Sequence, residues 1–352
     1  MANGDGNKVV FSISMSSILR VFLILVLIGF AWLIRDIIAL VFVSLILASA
    51  FDPTVDYLQQ RRIPRAFGII LIYIVFFSAL TVVVIGISRP IANEVRNIAQ
   101  DIPHYYQEIN NSLDRFQYTP LFANDKSTSF RGGLDQALAN LTQLASGNVL
   151  PVASAIFGGV ITIMLALVIT FYFSVQESAV KQFIVWLTPK GKEEKTAQII
   201  EKIQSRLGLW LRGQLLLSFV IFVITYVGLK ILGIQYALVL ALLAGFFEVV
   251  PYLGPILSAV PAIFLTLISP WGGWFKAGLV LILYVVVQQA ENNIVVPKIM
   301  ARTVGLNPLI VIVSILIGAK VGGVAGALVA VPIATALDVV LSELGYKKEL
   351  VP

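Results

Sequence analysis

The sequence predicts an all-α, polytopic membrane protein with about six full transmembrane helices, two broken or re-entrant helical hairpins and a small extracytoplasmic helical segment. The chain has 352 residues, of which 58% are hydrophobic and only 12% are charged, whereas soluble domains carry about 25% charged residues. Apolar runs of about 20 residues recur along it, the length that crosses a hydrocarbon core about 30 Å thick. Two further apolar runs are interrupted by proline and glycine, which leaves arms too short for a comfortable crossing.

The rare residue types restrict the function. The chain has no cysteine and one histidine, His104, so metal sites and catalytic triads built on these side chains are excluded or strongly disfavoured. The net charge is +6, but the basic residues flank apolar runs, which is the pattern that orients a protein in a membrane. We therefore expect a protein that is not an enzyme and has no cofactor, no metal site and no nucleic-acid partner.

Residues 1–88 are predicted to contain the N-terminal transmembrane helices, at about 18–35, 36–52 and 66–88. The first two are short and meet at Arg35–Asp36, which predicts a tight helical hairpin. The loop QQRRIPR that follows is rich in arginine, and loops rich in lysine and arginine face the cytoplasm. The N- and C-termini are therefore predicted to be cytoplasmic.

Residues 89–148 are predicted to form an extracytoplasmic amphipathic helical segment. Apolar residues recur at steps of three or four from Ile91 to Phe116 and again from Leu134 to Leu144, the spacing of one helix face. A helical cap that rests on the membrane or on a neighbouring subunit is one interpretation, and a lid that gates a substrate is another.

Residues 149–206 are predicted to hold a transmembrane helix at 149–175 and a cytoplasmic amphipathic helix. Thr188–Pro189 is a helix-start signal, and the apolar residues after it recur at a spacing that places them on one face of a helix. We expect this helix to lie on the inner leaflet and to lead into the next span.

The stretch EVVPYLGP, residues 248–255, interrupts the first of the two broken runs. Pro251 keeps the residue before it out of the helical region, Gly254 can adopt backbone angles closed to other residues, and Pro255 suits the first turn of a new helix. This predicts two half-helices with a tip inside the membrane. Free backbone groups at such a tip must face protein or a water-filled cavity.

The second broken run begins at Asn307, breaks at Gly318–Gly323 and continues past Pro332. Its Ala-Val-Pro repeats the one that ends at Pro261, with an offset of 332 − 261 = 71 residues. The same offset relates a predicted span at about 207–230 to the sixth full span at about 276–299.

The offset predicts a transport core, residues 207–345, made of two span-plus-hairpin repeats, 207–270 and 276–342. The first span of each repeat would cross in the opposite direction to the other. This is the inverted-topology arrangement in which secondary transporters place their solute site near mid-membrane.

Polar residues inside the sixth span mark a solute path. Gln288, Glu291 and Asn292 share one helix face, and a carboxylate in a membrane usually turns inward and is functional. Glutamine and asparagine also bond between helices without further function, and that reading stays open. The predicted path residues are Gln214, Glu248, Pro251, Gly254, Pro255, Gln288, Gln289, Glu291, Asn292, Asn293 and Lys320. The predicted hinge and helix-packing residues are Gly213, Pro261, Pro297, Gly318, Gly322, Gly326 and Pro332.

Several ordered motifs between about 205 and 345 resemble the autoinducer-2 exporter family of bacterial membrane transporters: WLRGQLLLSF, PYLGP followed by AVPAIF, QQAENNIVVPKIM and VGLNPLIVIVSILIGAKVGGVAGALVAVPIA. The resemblance implies a helical transporter of about eight spans in the bacterial plasma (inner) membrane. It also implies homo-oligomers, with pentamers among the expected forms. Glu248 stands where this family has asparagine as often as an acid.

These observations favour a secondary transporter that exports a small polar solute such as autoinducer-2, with the hairpins gating access from either side. The alternative within transport is a sodium(lithium)/proton antiporter that uses Glu291 and Glu248. A different class is a non-transporting membrane scaffold that organises partners through residues 89–148. The expected partners are the lipid bilayer, a small polar solute or a monovalent cation or proton, and further copies of the chain.

Overall fold

The computed structural model describes residues 15–117, 149–176, 179–269, 272–300 and 306–345, and every regular element in these ranges is helical. The helices are α1 (Met15–Leu33), α2 (Arg35–Gln60), α3 (Arg65–Gln117), α4 (Val149–Val175), α5 (Ala179–Trp186), α6 (Glu193–Ile231), α7 (Ala237–Phe247), α8 (Leu253–Ile268), α9 (Trp274–Ala290), a π-helical segment (Glu291–Val295), α10 (Val296–Met300) and α11 (Pro308–Glu343). The second half of the predicted extracytoplasmic segment, 118–148, lies outside the described residues.

Six apolar stretches among the described residues are long enough to cross a membrane, which confirms the predicted fold class. They are Arg35–Gln60, Arg65–Pro90, Gly158–Val175, Glu193–Ile231, Trp274–Met300 and Pro308–Glu343. The set differs from the predicted six, because it includes the second broken run and leaves out α1, which is a shorter apolar helix.

The predicted tight hairpin between the first two spans is wrong. The Ile34 N–H bonds to the Phe30 carbonyl at 3.0 Å, and the Ile38 N–H bonds to the Ile34 carbonyl at 3.0 Å. Helical hydrogen bonds therefore run through the junction, and α1 continues into α2 across a kink at Ile34 (φ −99°, ψ 14°). As a result α1 does not fold back along α2, and the large apolar side chains described along it are exposed.

Two boundaries that the sequence predicts are absent, because single helices run across them. α3 has 53 residues and is about 80 Å long, so the first predicted extracytoplasmic helix is a straight continuation of span three. α6 has 39 residues and is about 58 Å long. The predicted cytoplasmic amphipathic helix is therefore the first part of α6 and not a separate element.

α6 is the central helix of the described fold, in contact with α2, α7, α9, α10 and α11. Gly213 gives Met300 room to approach, and Gly228 lies against Leu283, so α6 runs antiparallel to α9 and α10. The N-terminal part of α6 is also tied to the end of α11, where Arg206 Nη1 lies 3.3 Å from Asp338 Oδ2.

The first broken run forms the predicted helical hairpin, with α7 and α8 packed against each other and against α6. Its turn is Glu248–Tyr252, and Pro255 lies in the first turn of α8 as predicted. The backbone angles differ from the expectation, since Tyr252 takes the positive φ (69°) and Gly254 is helical. The far end of α7 is capped from α3, because Glu94 Oε2 accepts a hydrogen bond from the Val239 N–H at 3.0 Å.

The second broken run is also a hairpin, since the helical angles of α11 fail at Gly322 (φ −129°, ψ 17°) and Gly323 (φ 60°, ψ −142°). Gly318 lies directly against Gly326 and Ala330, contacts that residues 8 and 12 positions apart cannot make in a straight helix. The predicted packing role of Gly318 and Gly326 is thus observed between two arms, while Gly322 has no neighbour within 4 Å of its Cβ position and forms the turn. Pro332 lies inside the second arm, which stays helical around it.

The two hairpins share an unexpected register. Their positive-φ residues are Tyr252 and Gly323, and 323 − 252 = 71, the same offset as between Pro261 and Pro332. Each hairpin follows one long helical element, α6 or α9–α10. The order of elements and the turn positions therefore agree with the predicted repeat, and its inverted orientation in a membrane stays a prediction.

Candidate functional site

A cavity of about 250 Å³ lies where the first hairpin, α6, the π-helical segment and both arms of α11 meet. Its lining combines apolar side chains with three polar ones, from Gln214, Tyr252 and Glu291. The full lining is Trp210, Gln214, Leu217, Pro251, Tyr252, Glu291, Val296, Pro297, Met300, Leu306, Pro308, Val311 and Val331. The two predicted repeats therefore meet at this cavity.

The π-helical segment that carries Glu291 has a local cause. Pro297 has no N–H group, and its ring clashes with the carbonyl one turn earlier in a regular helix. The chain widens before it, so that the Val296 N–H bonds to the Glu291 carbonyl five residues back. Such single-turn widenings occur frequently at functional sites, and this one turns Glu291 into the cavity.

Glu291 is fully buried, with 0% of its surface exposed. Its Oε2 accepts a hydrogen bond from Gln288 Nε2 at 3.2 Å, while Oε1 has no hydrogen-bond partner. A buried carboxylate with a free oxygen at a cavity wall is costly in hydrocarbon, and a proton, a cation or a hydrogen-bond donor at Oε1 would lower that cost.

Glu248 lies behind the hairpin turn and does not line the cavity itself. It is also 0% exposed, and its carboxylate faces the backbone N–H groups of Gly254 and Tyr252 and interacts electrostatically with Glu291. Gln214 links it to the cavity, because Gln214 Nε2 donates to the Glu248 backbone carbonyl and leaves Gln214 Oε1 without a partner.

Gly254 is required for space and not for its backbone angles. A Cβ at this position would lie 2.6 Å from the Ala244 carbonyl oxygen and against the Glu248 carboxylate. Both contacts are closer than any real Cβ tolerates. The glycine therefore allows the start of α8 to approach the acid, which sits over the free N–H groups of the helix N-terminus.

The structure brings some predicted path residues together and separates others. Gln214, Pro251 and Glu291 line the cavity, together with Pro297, which was predicted as a hinge or helix-packing residue. Glu248, Gly254 and Gln288 lie around them. Gln289 and Asn293 face outward and bond to each other at 3.0 Å, and Asn292 is exposed.

Lys320 is not brought to the cavity. It is exposed at the tip of the second hairpin, and Gly322 and Gly323 there line a groove with Arg35 and Asp36. The second hairpin reaches the cavity through its arms, at Pro308, Val311 and Val331, and not through its tip.

Sequence reasoning missed most of the cavity lining, including Trp210, Tyr252 and Met300. Trp210 and Met300 stand within apolar helical patterns, where periodicity marks them as packing. Tyr252 was not predicted because Pro251 and Gly254, which flank it, give the stronger turn signals. A tyrosine between two such residues at a hairpin turn is the one signal that could have found it.

The relatives of this chain are described as putative transport proteins or, in one case, as an antiporter. Two of them share the description "Putative transport protein": YueF of Bacillus subtilis (strain 168), 27% identical over 82% of this chain and 79% of its own, and YhhT of Escherichia coli (strain K12), 26% identical over 85% and 82%. A protein of Halobacillus andaensis named "Sodium-lithium/proton antiporter" is 24% identical over 81% of this chain and 83% of its own.

The model of the AI-2E family transporter matches residues 21–345. This range includes α2, both hairpins and every residue of the cavity. The chain therefore belongs to the AI-2E transporter family, and it is a multi-pass membrane protein of a transport family.

Proposed function

We propose that the chain is a secondary transporter that exports a small polar solute such as autoinducer-2 through the cavity at Glu291, with alternating access gated by the hairpins. One observation carries the proposal: a fully buried carboxylate, with an unpartnered oxygen, faces a cavity at the junction of two helical hairpins. Secondary transporters place their solute sites at such junctions of broken helices.

The free polar atoms around the cavity specify the chemistry of the solute. The unpartnered atoms of Gln214, Gln288 and Glu291 are all oxygens, and the amide nitrogen of each glutamine already donates a hydrogen bond. Buried oxygens require donors or cations. A solute rich in hydroxyl groups meets this requirement, and an anion does not.

The cavity volume sets the size of the solute. About 250 Å³ is below the range of about 300–1,000 Å³ for pockets that hold drug-sized ligands. It corresponds to about eight water molecules at about 30 Å³ each. A polyol of a few carbon atoms fits such a volume, and a peptide or a lipid does not.

Sodium- or lithium-for-proton antiport is the second function that the site supports. Glu248 and Glu291 are both buried and interact electrostatically, so a proton or a monovalent cation between them would relieve the repulsion of two like charges. The relative from Halobacillus andaensis with that name supports the same chemistry here.

Flux through purified protein in proteoliposomes tests the proposal. We expect uptake of hydroxyl-rich solutes that falls at least about tenfold in Glu291→Gln, the factor that about 1.4 kcal/mol of lost interaction produces. Glu194→Gln is the matched control, since it makes the same chemical change at an exposed position of α6 and should leave flux unchanged. Equal flux in Glu291→Gln and the parent protein would contradict the proposal.

The same vesicles separate the two functions. Proton movement that depends on sodium or lithium, and that disappears in Glu291→Gln, supports antiport. Solute flux that is indifferent to both cations supports the exporter.

We extend the proposal to the assembly and its membrane, the bacterial inner membrane with both termini in the cytoplasm. Gln289, Asn292 and Asn293 are exposed on a membrane-spanning helix, where contact with lipid is costly. A neighbouring copy of the chain would cover them, which supports a homo-oligomer such as a pentamer.

A further inference from the structure

Buried polar atoms without partners are concentrated beside the cavity. Nine such side-chain atoms occur among the described residues, and all but Ser174 Oγ belong to α6, α9, the π-helical segment or the first hairpin. Native proteins have only a few of these atoms per 100 residues, and each one needs an explanation. Of the eight atoms on these elements, three are hydroxyls outside the cavity lining, on Ser218, Thr225 and Tyr284.

The hydroxyls of Ser218 and Thr225 differ from those of most other buried serine and threonine residues in the described helices, with Ser174 of α4 as a further exception. Serine and threonine in a helix commonly donate to the carbonyl four residues earlier. Thr170, Thr266 and Thr335 do so, at 2.7–2.8 Å. Ser218 and Thr225 make no such bond, although they are only 9% and 0% exposed.

These hydroxyls continue the polar face of the cavity along α6. Gln214, Ser218 and Thr225 are separated by four and seven residues, so they share one helix face. From Gln214 to Thr225 the face extends about 16 Å, at about 1.5 Å per residue. This is about half of a hydrocarbon core about 30 Å thick, and it leads from the cavity toward the C-terminal end of α6.

A second polar face lies on α9, and we call the polar faces of α6 and α9 together the seam. Tyr284, Gln288 and Glu291 are separated by four and three residues and share a face of α9 and the π-helical segment. The Tyr284 hydroxyl faces Ser258 of α8 without a hydrogen bond of good geometry. The antiparallel contact of α6 with α9, shown by Gly228 against Leu283, brings the two helices together along this stretch.

An apolar cluster, here called the plug, occupies the stretch of α6 and α9 between the cavity residues and Thr225 and Tyr284, and Ser218 lies at its level. Leu217, Ile221, Ala244 and Val287 form the plug, and each is at most 1% exposed. Leu217 also lines the cavity, so the plug adjoins the cavity. A hydrophobic constriction of this kind closes a path by excluding water.

We propose that Ser218, Thr225 and Tyr284 line a second half of the solute route, which is closed in this conformation by Leu217, Ile221 and Val287. When the plug parts, water enters the seam and hydrates the three hydroxyls. This inference rests on the proposed transport function, because it names the other half of an alternating-access route. The seam then carries the same hydroxyl-rich or cationic solutes as the cavity.

The absence of cysteine in the chain allows a direct test by single cysteines and a charged methanethiosulfonate reagent in proteoliposomes. We expect Ser218→Cys and Thr225→Cys to react at least about tenfold faster than Thr170→Cys when a gradient drives turnover, since local opening exposes only the route. Thr170 is equally buried but its hydroxyl is satisfied, between α2 and α4. Leu216→Cys, at an exposed apolar position of α6, controls for reaction from lipid.

Reaction of Ser218→Cys and Thr225→Cys no faster than Thr170→Cys, with and without the gradient, would overturn the proposal. The result is independent of which solute the protein carries, because the reagent reports water. Solute flux without labelling would support the proposed transport function and contradict the proposal that the seam is part of the solute route. Labelling without flux of any offered solute would support the seam and count against the proposed solutes.

A second variant guards against loss of folding at the hydroxyl positions. Ile221→Ser replaces an apolar side chain of the plug with a smaller, polar one that admits water. We therefore expect Thr225→Cys to be labelled faster in a protein that also carries Ile221→Ser, even without a gradient. Ile221→Val keeps the plug apolar and should leave the labelling rate near that of the parent. Equal rates for Ile221→Ser and Ile221→Val would contradict the assignment of the plug.

Discussion

The two hairpins reverse the backbone at equivalent positions but differ in their chemistry. The first places a carboxylate and Tyr252 at its turn, where Glu248 and Val250 are buried and the other turn residues are half-buried. The second turns at Gly322 and Gly323, exposes its tip and contributes only apolar atoms of its arms to the cavity. The same backbone device therefore serves as a polar site in one repeat and as an apolar wall in the other.

The difference shows that a broken helix does not by itself mark a site. Both breaks leave backbone groups without helical partners, but only the first has a buried acidic side chain, Glu248, next to those groups. The glycines reflect this division, since Gly254 makes room for Glu248 while Gly318 and Gly326 make room for each other.

The largest effect is expected at the first turn. Gly254→Ala forces a methyl group against the Ala244 carbonyl and the Glu248 carboxylate, where backbone and a buried acid cannot both move away. We expect a loss of about 3 kcal/mol in the free energy of unfolding and a loss of flux. Gly322→Ala, at the second turn, meets nothing within 4 Å and should change neither. Thermal unfolding in detergent measures the stability of each variant, and flux in proteoliposomes measures its transport. Equal stability of the two variants would contradict the claim that only the first turn is closely packed.

A smaller effect is expected where the arms of the second hairpin touch. Gly318→Ala places a methyl group against Gly326 and 2.8 Å from Ala330 Cβ, so the arms must separate. We expect a loss of about 2 kcal/mol in the same unfolding measurement. Gly278→Ala in α9, which has open space around it, is the matched control, and a destabilised control with an unchanged Gly318→Ala would contradict the hairpin packing.

The smallest effect is expected at Lys320. Its exposed position at the second tip predicts that Lys320→Gln changes the free energy of unfolding by less than about 0.5 kcal/mol and leaves flux intact. Flux assays of Lys320→Gln beside Glu291→Gln measure the contrast. A strong loss of flux in the lysine variant would place the second tip in the solute path, and the two hairpins would then be functionally alike.

Local chemistry made both hairpins predictable, because proline and glycine act on their immediate neighbours. The junction at Arg35–Asp36 was not, since one polar pair suits a turn and a kink equally well, and only the helical bonds of Ile34 decide between them. The lengths of α3 and α6 were also missed. A change from an apolar run to an amphipathic one shows where a helix leaves the membrane and not where it ends.

The site was predicted in part for a similar reason. Spacing placed Gln288 and Glu291 on one inward face correctly. It failed for Asn292 because the π-helical turn before Pro297 changes the angular step between residues. Gly254 was predicted as part of the turn for its backbone freedom, but its role is spatial and depends on Glu248 and Ala244, contacts that only the folded chain brings together.

The bond from Glu94 to the first residues of α7 connects distant parts of the molecule. α3 continues for 27 residues beyond Pro90, from 91 to 117, which is about 40 Å of helix. The hydrogen bond at Glu94 joins the base of this helix to the start of α7. An antibody or a cross-linker that moves the far end of α3 would therefore act on α7, the helix that leads to the buried Glu248.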